Sequence, residues 1–337
     1  MTFESFATTG IGSMPHFEAS KACELVFDYF DIPFWPQLPK LSNRESMIAQ
    51  FSEGLPGIVV ENEKIHLLKD EEKITEWLSL YTDDMVSPMS RDYAHGLYEI
   101  ADRLKGNRLK FFKGQITGPV TFTLSLKDEE GKLIYFDETL RELALLHLKA
   151  KVKWQIDFLK NFADEVIIFM DEPILQAVGT SAYISVEQSE AMRLINELVC
   201  YIKSLGVKVG IHCCGRADWK AVLSTGIDIL NFDAFSFFDF FKIYIDQIAE
   251  FLNKGGIIAW GFVPTTDDIY SLSDDQIIKQ AVDKILEFFN ELSQSTVQKP
   301  PATILTPSCG MGSLDEDAAE RVCKILKNLK ETLTIRG

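Results

Sequence analysis

Short runs of β-branched and apolar residues alternate with longer stretches whose apolar positions recur every three and four residues, and this alternation persists over most of the chain. Eight runs predict strands: ATTGIGS (7–13), IPFWPQLP (32–39), LKFFKGQITG (109–118), EVIIFMDEP (165–173), VKVGIHCCG (207–215), DILNFDAF (228–235), GIIAWGFVP (256–264) and ATILTPSCG (302–310). The stretches between them predict helices; SEAMRLINELVCYIKSLG keeps its apolar positions on one face and stops at a glycine. Strands joined by crossover helices pair in parallel, so eight such units predict an α/β fold, a closed (β/α)8 barrel. Residues 40–108, between the second and third strands, are too long for one crossover. They predict a helical insertion, with helices such as DEEKITEWLSLY and SRDYAHGLYEIADRL, suited to a lid or an interface. There is no low-complexity tract, no Pro/Gly/Ser linker and no repeat beyond the strand–helix alternation, so residues 1–337 read as a single domain.

Composition adds exclusions. The hydrophobic fraction of 46% is near the globular average and provides for a large core. The start, MTFESFATTG, lacks the basic and apolar regions of an export signal, and every long apolar run is broken by charge or turn residues. A cytoplasmic address without membrane association is therefore expected. A net charge of −16 repels nucleic-acid phosphates, and no basic stripe interleaved with aromatics offsets it. Six cysteines, at 23, 200, 213, 214, 309 and 323, are scattered, which in a reducing compartment favours metal or catalytic roles over a disulfide framework. Cys23, Cys200 and Cys323 lie in helix-like segments and are expected to be core thiols.

The candidate chemistry falls at strand ends. Active sites of such barrels form where the strands end, and here those ends read GSMPH, TGP, DEP, HCCG, FDAF and PSCG. Any one of them is ordinary loop composition; two histidines, three cysteines and three acids at the same kind of position are a constellation. His212 and Cys214, two apart in a strand, project to one face, while Cys213 points away. Cys309 ends the last strand, and a closed barrel brings strand ends together whatever their sequence separation. One imidazole and two thiolates suit Zn²⁺ with an exchangeable position, and Asp233 can supply a fourth oxygen. The competing readings of HCC are a packed core histidine with neighbouring thiols, or a redox pair. The redox reading requires a strained vicinal disulfide and lacks the C-x-x-C spacing.

TTGIGSMPH, RESMIAQF, ITGPVTF, DEP, H-x-C and PSCG, in this order along nearly the whole chain, resemble the catalytic C-terminal barrel of cobalamin-independent methionine synthase. That family lies within the superfamily that also holds uroporphyrinogen decarboxylase and the zinc methylcobalamin:coenzyme M methyltransferases. The resemblance implies a short core form without the N-terminal half, a zinc-dependent thiol methyltransferase of methionine biosynthesis. It implies zinc on His212, Cys214 and Cys309, with Asp233 near the position of a family Glu; homocysteine held at its ammonium by Asp171 and at its carboxylate by Ile11, Gly12 and Ser13; and a supporting or loop-orienting role for Glu172 beside Asp171 in the catalytic motif.

Three departures shift the expected donor. Ala49 stands where the family has a Glu that contacts the substrate amine, and WGFVPTTDD (260–268) has no counterpart of the histidine that protonates the folate leaving group. The half that helps to bind polyglutamylated folate has no room in 337 residues. A methylcorrinoid, free or on a corrinoid protein, is then the expected donor, since Co(I) leaves without protonation, with methylfolate as the other choice. Alternatives are another thiol such as coenzyme M, a uroporphyrinogen-decarboxylase-like lyase, for which no N-terminal basic cluster is seen, or a corrinoid-binding barrel with a closed structural metal.

Overall fold

The computed structural model describes residues 4–61, 64–181, 183–293 and 303–336. Among the described residues ten strands follow in chain order: β1 (Ala7–Thr8), β2 (Ile58–Glu61), β3 (Lys64–Leu67), β4 (Leu109–Thr117), β5 (Lys127–Asp128), β6 (Ala163–Asp171), β7 (Lys208–Cys213), β8 (Ile229–Phe232), β9 (Ile257–Val263) and β10 (Thr303–Pro307). Seven form one curled parallel sheet in the order β1-β10-β9-β8-β7-β6-β4, with helices packed outside, consistent with a TIM-like barrel. Ala302, the first residue of the last predicted strand, lies outside the described residues.

The predicted strand 32–39 is not a ladder strand. It is an extended segment with isolated parallel bridges, Ser13↔Gln37 on one side and Phe34↔Lys113 on the other. Its backbone nevertheless reaches both edges of the sheet: Ile32 N–H donates to Thr8 O (3.0 Å), Gln37 N–H to Gly12 O (3.0 Å), and Lys113 N–H to Pro33 O (2.8 Å). The reason for the broken ladder is in the sequence. Pro33, Pro36 and Pro39 have no N–H to donate, so continuous pairing is impossible through IPFWPQLP.

Residues 40–108 are mixed rather than all-helical. They hold the helices Met47–Ser52, Glu71–Leu80 and His95–Arg103, and also the antiparallel pair β2/β3, which β5 extends to a three-stranded sheet. KIHL (64–67) alternates polar with apolar, a period of two, and IVV (58–60) is a short β-branched apolar run; both favour strand over the expected helix. Thr117, at the end of β4, donates its hydroxyl to Met47 O at 2.9 Å, so this segment rests on the strand ends.

Strand alternation divides the side chains into two sets. Ala7, Ile32, Phe111, Ile167, Phe169, Ile229, Ile257, Ala259 and Ile304 form a cluster separate from the larger core between sheet and helices. They occupy alternate positions, those facing the barrel interior. Further along the same strands the inward positions turn polar: Phe111 is followed by Lys113 and Gln115, Phe169 by Asp171, Ile229 by Asn231, Ile304 by Thr306. An apolar plug therefore fills the start of the barrel and a buried polar layer lies beyond it, where the strands end. Of the thiols expected in the core, Cys23 and Cys323 are buried, but Cys200 is exposed; its helix Gln188–Ser204 turns that position to solvent. Among the described residues no helix is long and apolar enough to cross a membrane.

Candidate metal and thiol site

β7 ends in His212-Cys213, with Cys214 the next residue, and the side chains of the three point alternately to opposite sides. Cys213 is fully buried in the outer core. His212 and Cys214 face the interior, where the loop after β10 brings Cys309. Ligand atoms of His212, Cys214 and Cys309 all lie within 4.8 Å of one another, a spacing that fits one metal ion.

The histidine is oriented by a residue the sequence reading missed. Asn231, the inward residue of β8, donates its amide Nδ2 to Ala259 O and to Thr306 Oγ1, both at 2.8 Å. Those two bonds fix the amide so that Oδ1 faces His212 Nδ1, which donates to it. A proton is thereby held on Nδ1, which leaves Nε2, a buried atom with no hydrogen-bond partner, as the nitrogen available to a metal. An imidazole locked by a neighbour on one nitrogen and bare on the other is what a metal-binding histidine requires. The available signal was a lone Asn between apolar neighbours in DILNF. Replacing Asn231 by Leu is expected to weaken zinc binding about 10- to 100-fold, the usual cost of losing such a partner, as read by competition with a chromophoric chelator.

The two thiols share one proton between them. The Cys309 S–H and His212 hold Cys214 far below the ordinary thiol range, against burial, which pushes it up, while the Cys214 thiolate and burial push Cys309 up. Asp171, at the end of β6, is 5% exposed and its Oδ1 has no hydrogen-bond partner. Burial raises it to about 6, against the pull of His212 and Lys113. Burial likewise lowers Lys113, while Asp171 opposes that shift. Ile11, Gly12 and Ser13 follow β1. Gly12 sits so tightly that an added Cβ would lie 2.5 Å from Gln37 Oε1. The Ser13 carbonyl accepts from Met311 N–H at 2.8 Å and its hydroxyl from Gly312 N–H at 3.3 Å. The GIGS segment is thus stitched directly to the loop that carries Cys309.

Two expected residues have other partners in this structure. Asp233 is outside the three-ligand group: its Oδ1 accepts from Ser236 N–H at 2.9 Å, capping the helix Ala234–Lys242. Glu172, one residue past Asp171, points the opposite way. Its Oε1 accepts from Val120 N–H (2.9 Å) and its Oε2 from Thr121 N–H (2.7 Å), at the start of the helix Pro119–Ser125. A Cβ on Gly118 would lie 2.2 Å from Glu172 Oε1, which explains why TGP and DEP occur together: the glycine makes room for the acid that holds the helix. Ala49 is buried, and its neighbour Gln50 accepts from Gln37 Nε2 and donates to Tyr93 O, both at 2.6 Å, tying the bridging segment to the insertion.

No family model matches the sequence, and no curated protein matches it. Among solved structures the chain is similar to a B12-independent methionine synthase from Shewanella sp. W3-18-1 in complex with selenomethionine, with a TM-score of 0.60, 15% identity and 99% of each chain covered. It is similar also to a methyltransferase from Methanosarcina mazei, with a TM-score of 0.62, 14% identity, and 99% of this chain and 95% of that one covered. At these identities the likeness establishes the fold.

Proposed function

We propose that this chain is a zinc-dependent methyltransferase that moves a methyl group from a methylcorrinoid to a thiol, homocysteine first, giving methionine. The observation that carries the reading is the convergence of His212 with the Cys214 and Cys309 sulfurs at the strand ends, with Asn231 engaging Nδ1 and Nε2 left without a hydrogen-bond partner. The fold shared with a methionine synthase and a second methyltransferase supports it. His212, Cys214 and Cys309 would hold zinc, which when bound would supply a Lewis acid favouring a substrate thiolate at neutral pH, where a free thiol, with a pKa near 8.5, is mostly protonated. Cys214 and Cys309, as cysteinates, would balance the charge of the dication.

The protein's own groups then bind and orient. Asp171, unpartnered at Oδ1 within the same polar layer, takes the ammonium of an amino-acid thiol, and the Ile11–Ser13 segment takes the carboxylate. Glu172 acts at a distance, holding the helix that follows TGP. The donor is read from the loop after β9, where Thr265, Thr266, Asp267 and Asp268 offer no imidazole to protonate a folate leaving group. The test is a matrix of donors and acceptors: methylcobalamin and methyltetrahydrofolate, each against homocysteine, coenzyme M and simple thiols. The reading predicts methyl thioether formation, fastest from methylcobalamin to homocysteine. Transfer only from methyltetrahydrofolate would overturn the donor assignment, and transfer only to coenzyme M would overturn the acceptor.

A further inference from the structure

The interior of the barrel contains a charge that the site as described does not use. Lys113 lies on β4, at the inward position between Phe111 and Gln115, and is fully buried. Its ammonium sits over the Phe169 ring, 4.7 Å from the centroid, at the top of the apolar plug. Its hydrogen-bond acceptors are both neutral: the Ile11 carbonyl at 2.6 Å and the Gln115 amide oxygen at 3.3 Å. Asp171 attracts it through space.

Such a placement is costly for the fold. Removing an ammonium from water costs several kcal/mol unless a close counter-charge offsets it, and two neutral acceptors do so only in part. A methionine of the same length would continue the plug formed by Phe111, Ile167 and Phe169. The position therefore carries a charge at the expense of stability, and the contacts indicate its use. The ammonium holds the backbone of Ile11, the first residue of the segment that the proposed function assigns to the substrate carboxylate. Asp171, assigned to the substrate ammonium, lies across the same layer with Oδ1 unpartnered. The layer thus has a fixed polarity, positive at Ile11 and negative at Asp171. A zwitterion laid between them finds a favourable orientation at both ends, and its carboxylate adds a counter-charge to the one that Asp171 supplies through space.

We infer that Lys113 is the positioning residue that makes this site selective for thiols bearing a carboxylate, by holding Ile11 from inside the barrel and placing a buried positive charge beside the Ile11–Ser13 segment. The inference rests on the amino-acid thiol reading above.

The test uses zinc-loaded full-length protein and equilibrium binding, measured by calorimetry, of L-homocysteine and of 3-aminopropanethiol, which lacks only the carboxylate. Wild type is expected to prefer homocysteine. In Lys113→Met that preference falls about 10- to 100-fold, the range for a lost interaction with a charged group, while 3-aminopropanethiol binds as before and zinc content is unchanged. A variant that keeps the wild-type ratio of the two affinities would overturn the role of Lys113 and leave the thiol reading standing. Wild type that binds 3-aminopropanethiol as well as homocysteine would overturn it without any variant, so the test does not depend on Lys113→Met folding. Wild type that binds neither thiol would overturn the underlying reading and this inference with it.

Discussion

Replacing Cys309 by serine is expected to strip zinc from the protein and abolish methyl transfer, and replacing Cys214 to do the same. A serine hydroxyl is not ionised at neutral pH and is a poor zinc ligand, so either change leaves one thiolate and one imidazole. The loss in affinity should exceed the roughly 100-fold seen for partners that only orient a ligand, enough for dialysis against a chelator to empty the variant while wild type retains about one zinc per chain. Cys213→Ser is the internal control. Its sulfur is adjacent in sequence but buried in the outer core, so this variant should lose some stability and keep its zinc. Metal analysis of the three proteins separates the cases: zinc retained by both Cys214→Ser and Cys309→Ser would rule out the assigned ligands.

The second large effect is expected at Gly261, far from either cysteine in sequence. Gly261 lies in β9 between β8 and β10, and an added Cβ would stand 2.4 Å from Phe232 O, 3.0 Å from Pro307 O and 3.0 Å from the Ser308 Cα. These are main-chain atoms on both sides, so no side-chain rotation relieves the clash. Gly261→Ala must push neighbouring strands apart, at a cost of about 3 kcal/mol, the upper end for overpacking. The strain also has a direction. Ser308 precedes Cys309, and Phe232 precedes the capping Asp233, so the wedge acts on the two loops flanking the site. The variant should show both a lower urea midpoint and weaker zinc binding, the second persisting under conditions where it is fully folded. A variant as stable as wild type would contradict the close approach.

The strand order and the placement of His212, Cys214 and Cys309 were legible because both follow from simple periods. Alternating apolar strands separated by helical repeats imply parallel pairing, and period two assigns His212 and Cys214 to one face and Cys213 to the other. Three things were not legible. Three prolines in IPFWPQLP reduce a predicted strand to isolated bridges, although its backbone still spans the two edges of the sheet. The strands Ile58–Glu61 and Lys64–Leu67 are only four residues each and sit among helices, too short for a period to stand out. The orienting and charge-bearing residues Asn231 and Lys113 were missed because a polar residue in an apolar strand gives no indication of its partner; only the fold brings Asn231 to His212 or Lys113 to Ile11. Glu172 illustrates the converse. The motif DEP drew attention to two acids, but alternation sends one to the site and the other to a helix start.

The central claim is that three convergent ligands hold a zinc ion that activates a thiol for methylation. It is tested most directly by measuring methionine formed from methylcobalamin and homocysteine by zinc-loaded protein, by protein stripped with a chelator, and by stripped protein given zinc again. The account predicts product with the first, none above background with the second, and recovery with the third. Equal product from loaded and stripped protein, or none from the loaded protein, would contradict it.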